Sequence, residues 1–392
     1  MTAPGRVPGR RFLQVPGPTN VPERVLEAIG RPTIDHRSPE FAALARGVLD
    51  DLGRVFRTSG PVLVFPSSGT GASEAALVNT LSPDDTVLAY ETGHFAVLWA
   101  ETARRLGLHV ELLPGDWRHG VDPEAIERRL HADRDGRVKA VCVVHNETST
   151  GVTSRVPEVR QAIDRAGHPA LLLADTISSL GSVEYDHDAW GVDVTVGGSQ
   201  KGLMLPPGLG FNAASRRALD ASRAARLPRA YWDWSRIVEA NAEGFYPYTP
   251  ATNLLFGLRV ALDMVFEEGL PNVFARHRRH AAATRAAVEA WGLEVCCGDP
   301  REYSPSLTTV LMPEGHDEAA FRRVVYDAYA MSLGSGLGKL RGRAFRIGHL
   351  GDLDDLSLMA TLSGVELGLA AAGVPHKTGG VAAALGLLQS SE

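Results

Sequence analysis

The sequence predicts an α/β protein: a large domain on a mainly parallel sheet with helices on both faces, then a smaller α+β domain. Three observations predict it. Between residues 62 and 201, short apolar runs rich in β-branched residues alternate with helical patterns. Several of those runs, Val138 to His145 and Ala170 to Ala174 among them, are apolar at nearly every position, as strands covered on both faces must be. The 392 residues also exceed what one simple core organises, and the pattern changes character near Trp291. The expected division is an N-terminal arm of residues 1–22, a large domain of residues 23–268 and a small domain of residues 269–392.

Each element has a local reason. Residues 1–22 are rich in Pro and Gly and end in Val15-Pro16-Gly17-Pro18-Thr19-Asn20, which suits an extended arm. A helix follows over Glu23–Ile29, then one that Ser38 caps and Pro39 opens, running to Phe56. Val62–Phe65 reads as a strand, Ser67–Ser73 as a small polar turn, and Glu74–Leu81 as a helix. Further strands are expected at Thr86–Tyr90, Val110–Leu113, Val138–His145, Ala170–Ala174 and Asp193–Val196. Helices are expected after the loop Glu91–Phe95 as far as Leu106, from Pro123 to Leu130 and from Pro157 to Ala166. Arg216–Arg229 reads as a basic helix, and long helices are expected over Leu254–Glu268 and Asn272–Trp291. In the small domain Glu294–Cys297, Leu307–Met312 and Ala344–Ile347 read as strands, and Asp317–Tyr329 and Leu353–Ala372 as helices. The Ala/Leu/Gly-rich stretch after Lys377 has no assigned packing.

Composition excludes several classes. Hydrophobic content of 44% and charged content of 22% are those of a globular enzyme, and a net charge of −6 offers no nucleic-acid surface. No run reaches membrane-span length, so no membrane partner is expected. Cys142, Cys296 and Cys297 are too few for a disulfide scaffold, which suits a reducing compartment. The start has no apolar signal region and the end is no peroxisomal address, so a cytoplasmic protein is expected.

Chemistry gathers where strands end. In a parallel sheet, ligands sit beyond the carboxyl ends of strands. Ser68, the loop of Phe95, Thr148, Asp175 and Lys201 all fall at such ends. Lysine occurs four times, and Lys201 stands among glycines and small residues after a buried strand. An amine held there out of water loses its proton readily, as Schiff-base chemistry requires. The turn Ser68-Gly69-Thr70 before a helix aims free amides at an anion and lacks the Gly-Lys-Ser/Thr ending of a P-loop. A carboxylate at Asp175, one crossover from Lys201, completes a set that suits pyridoxal 5′-phosphate: an amine for its aldehyde, a phosphate cradle, and an acid for its ring nitrogen. No metal site is expected. His277 and His280 are three residues apart on a helix, but the arginines around them suit a solvated face.

Several motifs in order resemble the class V aminotransferases, and within them the serine–glyoxylate group. They are Ser199-Gln200-Lys201, Ser68-Gly69-Thr70-Gly71, His145-Asn146-Glu147-Thr148-Ser149-Thr150-Gly151, Tyr246-Pro247-Tyr248-Thr249-Pro250 and Arg346-Ile347-Gly348-His349. The resemblance implies a fold-type I pyridoxal-phosphate transferase and a homodimer with shared active sites. It makes Lys201 the Schiff-base lysine and proton shuttle and Asp175 the partner of the pyridine nitrogen. Ile177 and Phe95 would lie against the two ring faces. Ser68, Gly69, Thr70 and Gln200 would hold the phosphate, with Tyr246 and Thr249 reaching it from the other subunit. Thr148 would stand near the ring oxygen. Arg346 would clamp the substrate α-carboxylate, and His36 and Arg37 would enter the neighbour's site. The implied reaction moves the amino group of serine to glyoxylate, giving hydroxypyruvate and glycine; alanine–glyoxylate or ureidoglycine–glyoxylate transfer is the alternative. A cysteine desulfurase would need an exposed, activated cysteine, which none of the three resembles.

Overall fold

A computed structural model describes residues 11–390; the first ten residues of the expected arm and the last two of the chain lie outside it. The chain opens with β1 (Phe12–Gln14), α1 (Glu23–Ile29) and α2 (Pro39–Phe56). Next come β2 (Val62–Ser67), α3 (Gly69–Thr80), β3 (Thr86–Tyr90), α4 (His94–Arg105), β4 (His109–Leu113) and α5 (Pro123–Ala132). After β5 (Val138–Val144) a two-stranded ribbon, β6 (Asn146–Glu147) with β7 (Val152–Thr153), precedes α6 (Val156–Arg165). The large sheet is completed by β8 (Leu171–Asp175), β9 (Val194–Gly198) and β10 (Gly208–Ala214). Helices α7 (Arg216–Ala224), α8 (Trp234–Ala242), α9 (Thr252–Glu268) and α10 (Leu270–Ala290) follow. The last part comprises β11 (Glu294–Val295), β12 (Leu307–Leu311), α11 (Glu318–Tyr329), β13 (Met331–Ser335), β14 (Ala344–Gly348), α12 (Asp355–Ala371) and α13 (Gly380–Ser390).

The large sheet has the order β2-β10-β9-β8-β5-β3-β4. Its pairs from β9 to β4 are parallel, and β10 runs antiparallel to both neighbours. Alternation of side chains along β2 sends Leu63 and Phe65 to one face, against α3, α4, α7 and α8. Val62 and Val64 go to the other, against α2 and α9. This two-faced burial explains the continuous apolar runs. Ser38 caps α2 by accepting from the Phe41 amide at 3.1 Å, as its position before Pro39 predicts.

The second sheet has the order β1-β13-β14-β12-β11. The sequence hides two of its five strands, β1 and β13, and β10 of the large sheet. β1 lies in the Pro/Gly-rich arm and pairs parallel with β13, its Gln14 buried and donating to Thr361 Oγ1 at 2.6 Å. β13 and β10 are rich in Gly, Ser and Ala and carry little strand signal. The expected basic helix stops at Ala224, and the expected strand at Glu294 keeps two residues.

The histidine expectation is corrected. His277 and His280 are fully buried, on the inward stripe of α10 with Val273, Ala283 and Thr284. His277 Nδ1 donates to the Val273 carbonyl at 2.7 Å, and its Nε2 accepts from the Gly351 amide at 3.2 Å. The flanking arginines reach sideways to acids, Arg276 to Glu268 and Arg279 to Asp355.

The stretch after Lys377 packs as α13, at the junction of α10 and α12. Glu366 on α12 accepts there from Trp291 Nε1 at 2.8 Å and from the amides of Gly379 and Val381 at 2.9 and 3.0 Å. Burial alone would push its carboxyl up, but these three donors outweigh it and hold it below its ordinary value. Glu366→Ala should cost about 1–2 kcal/mol at pH 7 by orphaning them. A depressed carboxyl stabilises above its unfolded pKa and ceases to as pH falls through the folded value. The loss, measured by urea denaturation, should therefore be largest near neutral pH and shrink as pH falls below the ordinary carboxylate range.

Candidate active site

The carboxyl ends of β2, β5, β8 and β9 open onto a cavity of about 240 Å³. Its wall includes Ser68, Gly69 and Thr70 from the start of α3, Thr148 after β5, Asp175 and Ile177 at the end of β8, and Gln200 and Lys201 after β9. These positions meet because β5, β8 and β9 are parallel neighbours, so their carboxyl ends share one edge.

Lys201 is buried, and loss of water brings its amine down to about 7. The nearby Arg346 charge lowers it further and Asp175 opposes both. The amine donates to the Pro16 carbonyl. Above it Gly17 has φ +94, and a Cβ there would lie 2.5 Å from Lys201 Cε and 2.6 Å from Nζ. The Pro-Gly-Pro turn therefore needs glycine twice over, for its backbone angle and for the lysine beneath it.

Asp175 is pushed up to about 7, chiefly by burial. The Ile177 amide, which donates to its Oδ1 at 2.8 Å, holds the shift back, while the Glu147 charge adds to it. This local bond leaves the second carboxyl oxygen for another partner. At α3 the Ser68 side chain makes no cap bond, so the first-turn amides have no partner within the helix. Gly69 allows Ile177 to close over this turn: a Cβ there would lie 2.6 Å from Ile177 Cγ1. Gln200 contributes an Oε1 that is buried without a hydrogen-bond partner among the described residues.

Sequence reasoning named Phe95 but missed the rest of its wall. Phe95, Leu98, Trp99 and Thr102 of α4 all line the cavity. Their spacing of i, i+3, i+4 and i+7 is one helical face, a signal that was available once Phe95 was singled out. Asn146, Ser73, Gly17, Pro18 and Pro207 also line it.

Arg346, on β14 of the second sheet, is not among the lining residues but reaches the carbonyl of Thr148, which is. Its Nε donates to the Ser335 carbonyl at 2.7 Å and its Nη1 to the Thr148 carbonyl at 2.9 Å. Nη2 and the outer hydrogen of Nη1 remain for a ligand. Burial brings its guanidinium down to about 10, so it stays charged at neutral pH. His36, Arg37, Tyr246 and Thr249 do not line the cavity of their own chain. They sit together on another surface. Thr33 contacts Asn253 at 2.6 Å, the rings of Phe41 and Tyr246 are 6.2 Å apart, and Arg37 and Thr249 are exposed. The hydroxyl of Tyr246 and Nε2 of His36 are buried without partners among the described residues. No group of three or more His, Cys, Asp or Glu among those residues has the arrangement of a metal site, and all three cysteines are buried.

The geometry agrees with comparison to known proteins. A sequence model described as "Aminotransferase class-V" matches residues 11–336. The serine–glyoxylate aminotransferase of Methylorubrum extorquens is 48% identical, over 98% of this chain and 98% of its own. The L-aspartate–glyoxylate aminotransferase of Paracoccus denitrificans is 44% identical over 94% of each chain. The crystal structure of the pyridoxamine–pyruvate aminotransferase of Mesorhizobium loti superposes with a TM-score of 0.92 at 29% identity, covering 99% of this chain and 100% of its own.

A proton-linked stability test follows from Asp175. Its raised value means that the cofactor-free native chain holds a proton there that the unfolded chain has lost, between the ordinary carboxylate range and about pH 7. Native stability therefore falls as pH rises through that window. Asp175→Asn removes the ionising group while keeping an acceptor for the Ile177 amide. The variant's gain in melting temperature over wild type, both without cofactor, should be greater at pH 8 than at pH 5 by about 2 °C or more. An equal difference at both pH values would show that Asp175 ionises at no cost.

Proposed function

From the membership of this chain in the class-V aminotransferase family, we propose that it moves the amino group of serine to glyoxylate, giving hydroxypyruvate and glycine. The enzyme is a fold-type I aminotransferase, and its cofactor is pyridoxal 5′-phosphate. The observation that carries the reading is the meeting of a near-neutral amine, an acid and an uncapped helix end in one cavity. The residues present fit the cofactor: the uncapped first-turn amides of α3 are the donors a phosphate needs, Gln200 lines the same cavity with a side-chain amide that can donate through Nε2, and Asp175 has an oxygen free for the ring nitrogen. When bound, it supplies an electron-accepting ring that stabilises the carbanion formed at the substrate α-carbon.

In this reading Ser68, Gly69, Thr70 and Gln200 hold the phosphate, with the dipole of α3 behind them. Asp175 keeps the ring nitrogen protonated, and that cation in turn stabilises the ionised carboxylate. Ile177 and Phe95 confine the ring between them, and Thr148 faces its oxygen. Lys201 Nζ takes the substrate α-proton and returns it, a task for which an amine near neutrality is suited. Arg346 receives the α-carboxylate on its uncommitted edge, oriented by the carbonyls of Ser335 and Thr148.

The assembly is read as a homodimer. The orphaned Tyr246 hydroxyl and His36 ring, which do not line their own chain's cavity, support the assignment of Tyr246, Thr249, His36 and Arg37 to the neighbour's site. Among the described residues no helix is long and apolar enough to cross a membrane. Three unpaired cysteines support a reducing, cytoplasmic setting.

The donor is read from the Methylorubrum relative; the Paracoccus relative makes aspartate the specific rival. All donors show Arg346 the same carboxylate, so discrimination falls to whatever meets the side chain. A site that hydrogen-bonds a hydroxyl rejects its deoxy analogue strongly. With glyoxylate as acceptor, kcat/KM should rank serine above alanine and aspartate. His36→Phe with Arg37→Leu should lower the serine value about tenfold more than the alanine value. Preference for aspartate would move the assignment to that group.

The shared site has its own test. Lys201→Ala and Thr249→Arg should each be inactive or weak alone. If Thr249 serves the neighbour's phosphate, one site of a mixed dimer carries both lesions and the other neither, so co-refolding should restore about half of wild-type activity per mixed dimer. No recovery in verified mixed dimers would assign Thr249 to its own subunit.

A further inference from the structure

Two helices present their amino ends to the cavity, and the chain treats them oppositely. α3 is left without a side-chain cap. At α4 the amides of Phe95 and Ala96 donate to the Glu147 carboxylate at 3.2–3.3 Å, and the His94 amide donates to Ser149 Oγ at 2.9 Å. The amide and hydroxyl of Ser149 donate to the same carboxylate at 3.0 and 2.6 Å. Glu147 is 0% exposed, and all of these partners are donors, the environment of an ionised acceptor.

Room for this carboxylate comes from Gly93. A Cβ there would overlap Glu147 Cγ and lie 2.6 Å from its Cδ and 2.5 Å from Ser149 Oγ. Gly93 has φ 168, an extended value open to any residue, so its missing side chain serves the glutamate and not the backbone. The charge is also felt in the site, where it raises the proton affinities of Asp175 and Arg346 against or alongside burial.

We propose that Glu147 is a built-in anion that fills the amino end of α4, thereby fixing Phe95 against the cofactor ring and directing the cofactor's phosphate to α3. It is a positioning residue: it acts through Phe95 and the helix amides. The inference rests on the reading of Phe95 as a ring-stacking residue. A helix end favours any anion of suitable size, so an internal carboxylate both satisfies the amides and denies them to a mobile anion.

The test uses purified holoenzyme, its cofactor affinity measured by absorbance and the cofactor's circular-dichroism band recorded. Glu147→Ala should weaken the cofactor about tenfold and diminish the band. Formate, a carboxylate small enough for the vacated space, should restore both to within about twofold, and chloride at equal ionic strength should not. Gly93→Ala should give the same defect without formate rescue, because the added methyl fills the space. Should Glu147→Ala fail to fold, Glu147→Gln, which keeps the volume, and Gly93→Ala carry the test on affinity and band. Unchanged affinity and band in either folded variant, or equal rescue by chloride, would overturn the proposal. Phe95→Leu separates it from its premise. If that change leaves affinity and band intact, the Phe95 reading fails; if it alters them while Glu147→Ala and Gly93→Ala do not, the role of Glu147 fails.

Discussion

An amine that exchanges protons near neutral pH has to be taken out of water, and the burial of Lys201 is the constraint on which the rest of this structure depends. Surface lysines keep their protons by several pH units. Here the strand end after β9, the Pro-Gly-Pro turn above it and the cavity wall beside it remove solvent, and the amine falls to about 7. The same burial lifts Asp175 to about 7. One environment thus moves a base and an acid toward each other, and the opposite effect each charge has on the other limits the drift. Two buried ionisable groups are costly without a ligand to complete them. In the function proposed above, a cofactor carrying both a ring nitrogen and an electrophilic carbon would offset that cost.

The sheet decides where such groups can meet. Parallel strands place all their carboxyl ends on one edge, so residues distant in sequence, Thr148, Asp175 and Lys201, become neighbours. That edge was legible in the sequence, because apolar runs mark strands and polar residues mark where they stop. The helices were legible where caps announce them, as at Ser38 and Asp122. Glycine-rich strands were not, since β10 and β13 hold their places through pairing partners and not through their own residues.

The site was legible in part for the same reason. Lys201, Asp175 and the Ser68 turn have local signatures; Trp99 and Thr102 become lining residues only because α4 packs with that face inward. His277 and His280 failed for the converse reason. Arginines around them argue for solvent, but long side chains reach sideways from a buried stripe, and i, i+3 spacing points both rings the same way, here into the core. Tyr246, Thr249, His36 and Arg37 need a second copy to be judged at all, and one chain shows only that they are gathered on a common surface.

The arm that begins with β1 is hydrogen-bonded into the second sheet, yet its Pro16 carbonyl and Gly17 rest on a lysine of the first. Arg346 crosses the same boundary in the other direction, from β14 to the Thr148 carbonyl. The two sheets are therefore geared together at the cavity, with the arm as one tooth and the arginine as the other. A rotation of the second sheet against the first would move both the Pro16 carbonyl and Arg346 relative to the cavity. By reciprocity, whatever fills the cavity and displaces Pro16 does work on that sheet. In the function proposed above, the contact on the amine and the seat of the arginine therefore share one boundary between the sheets.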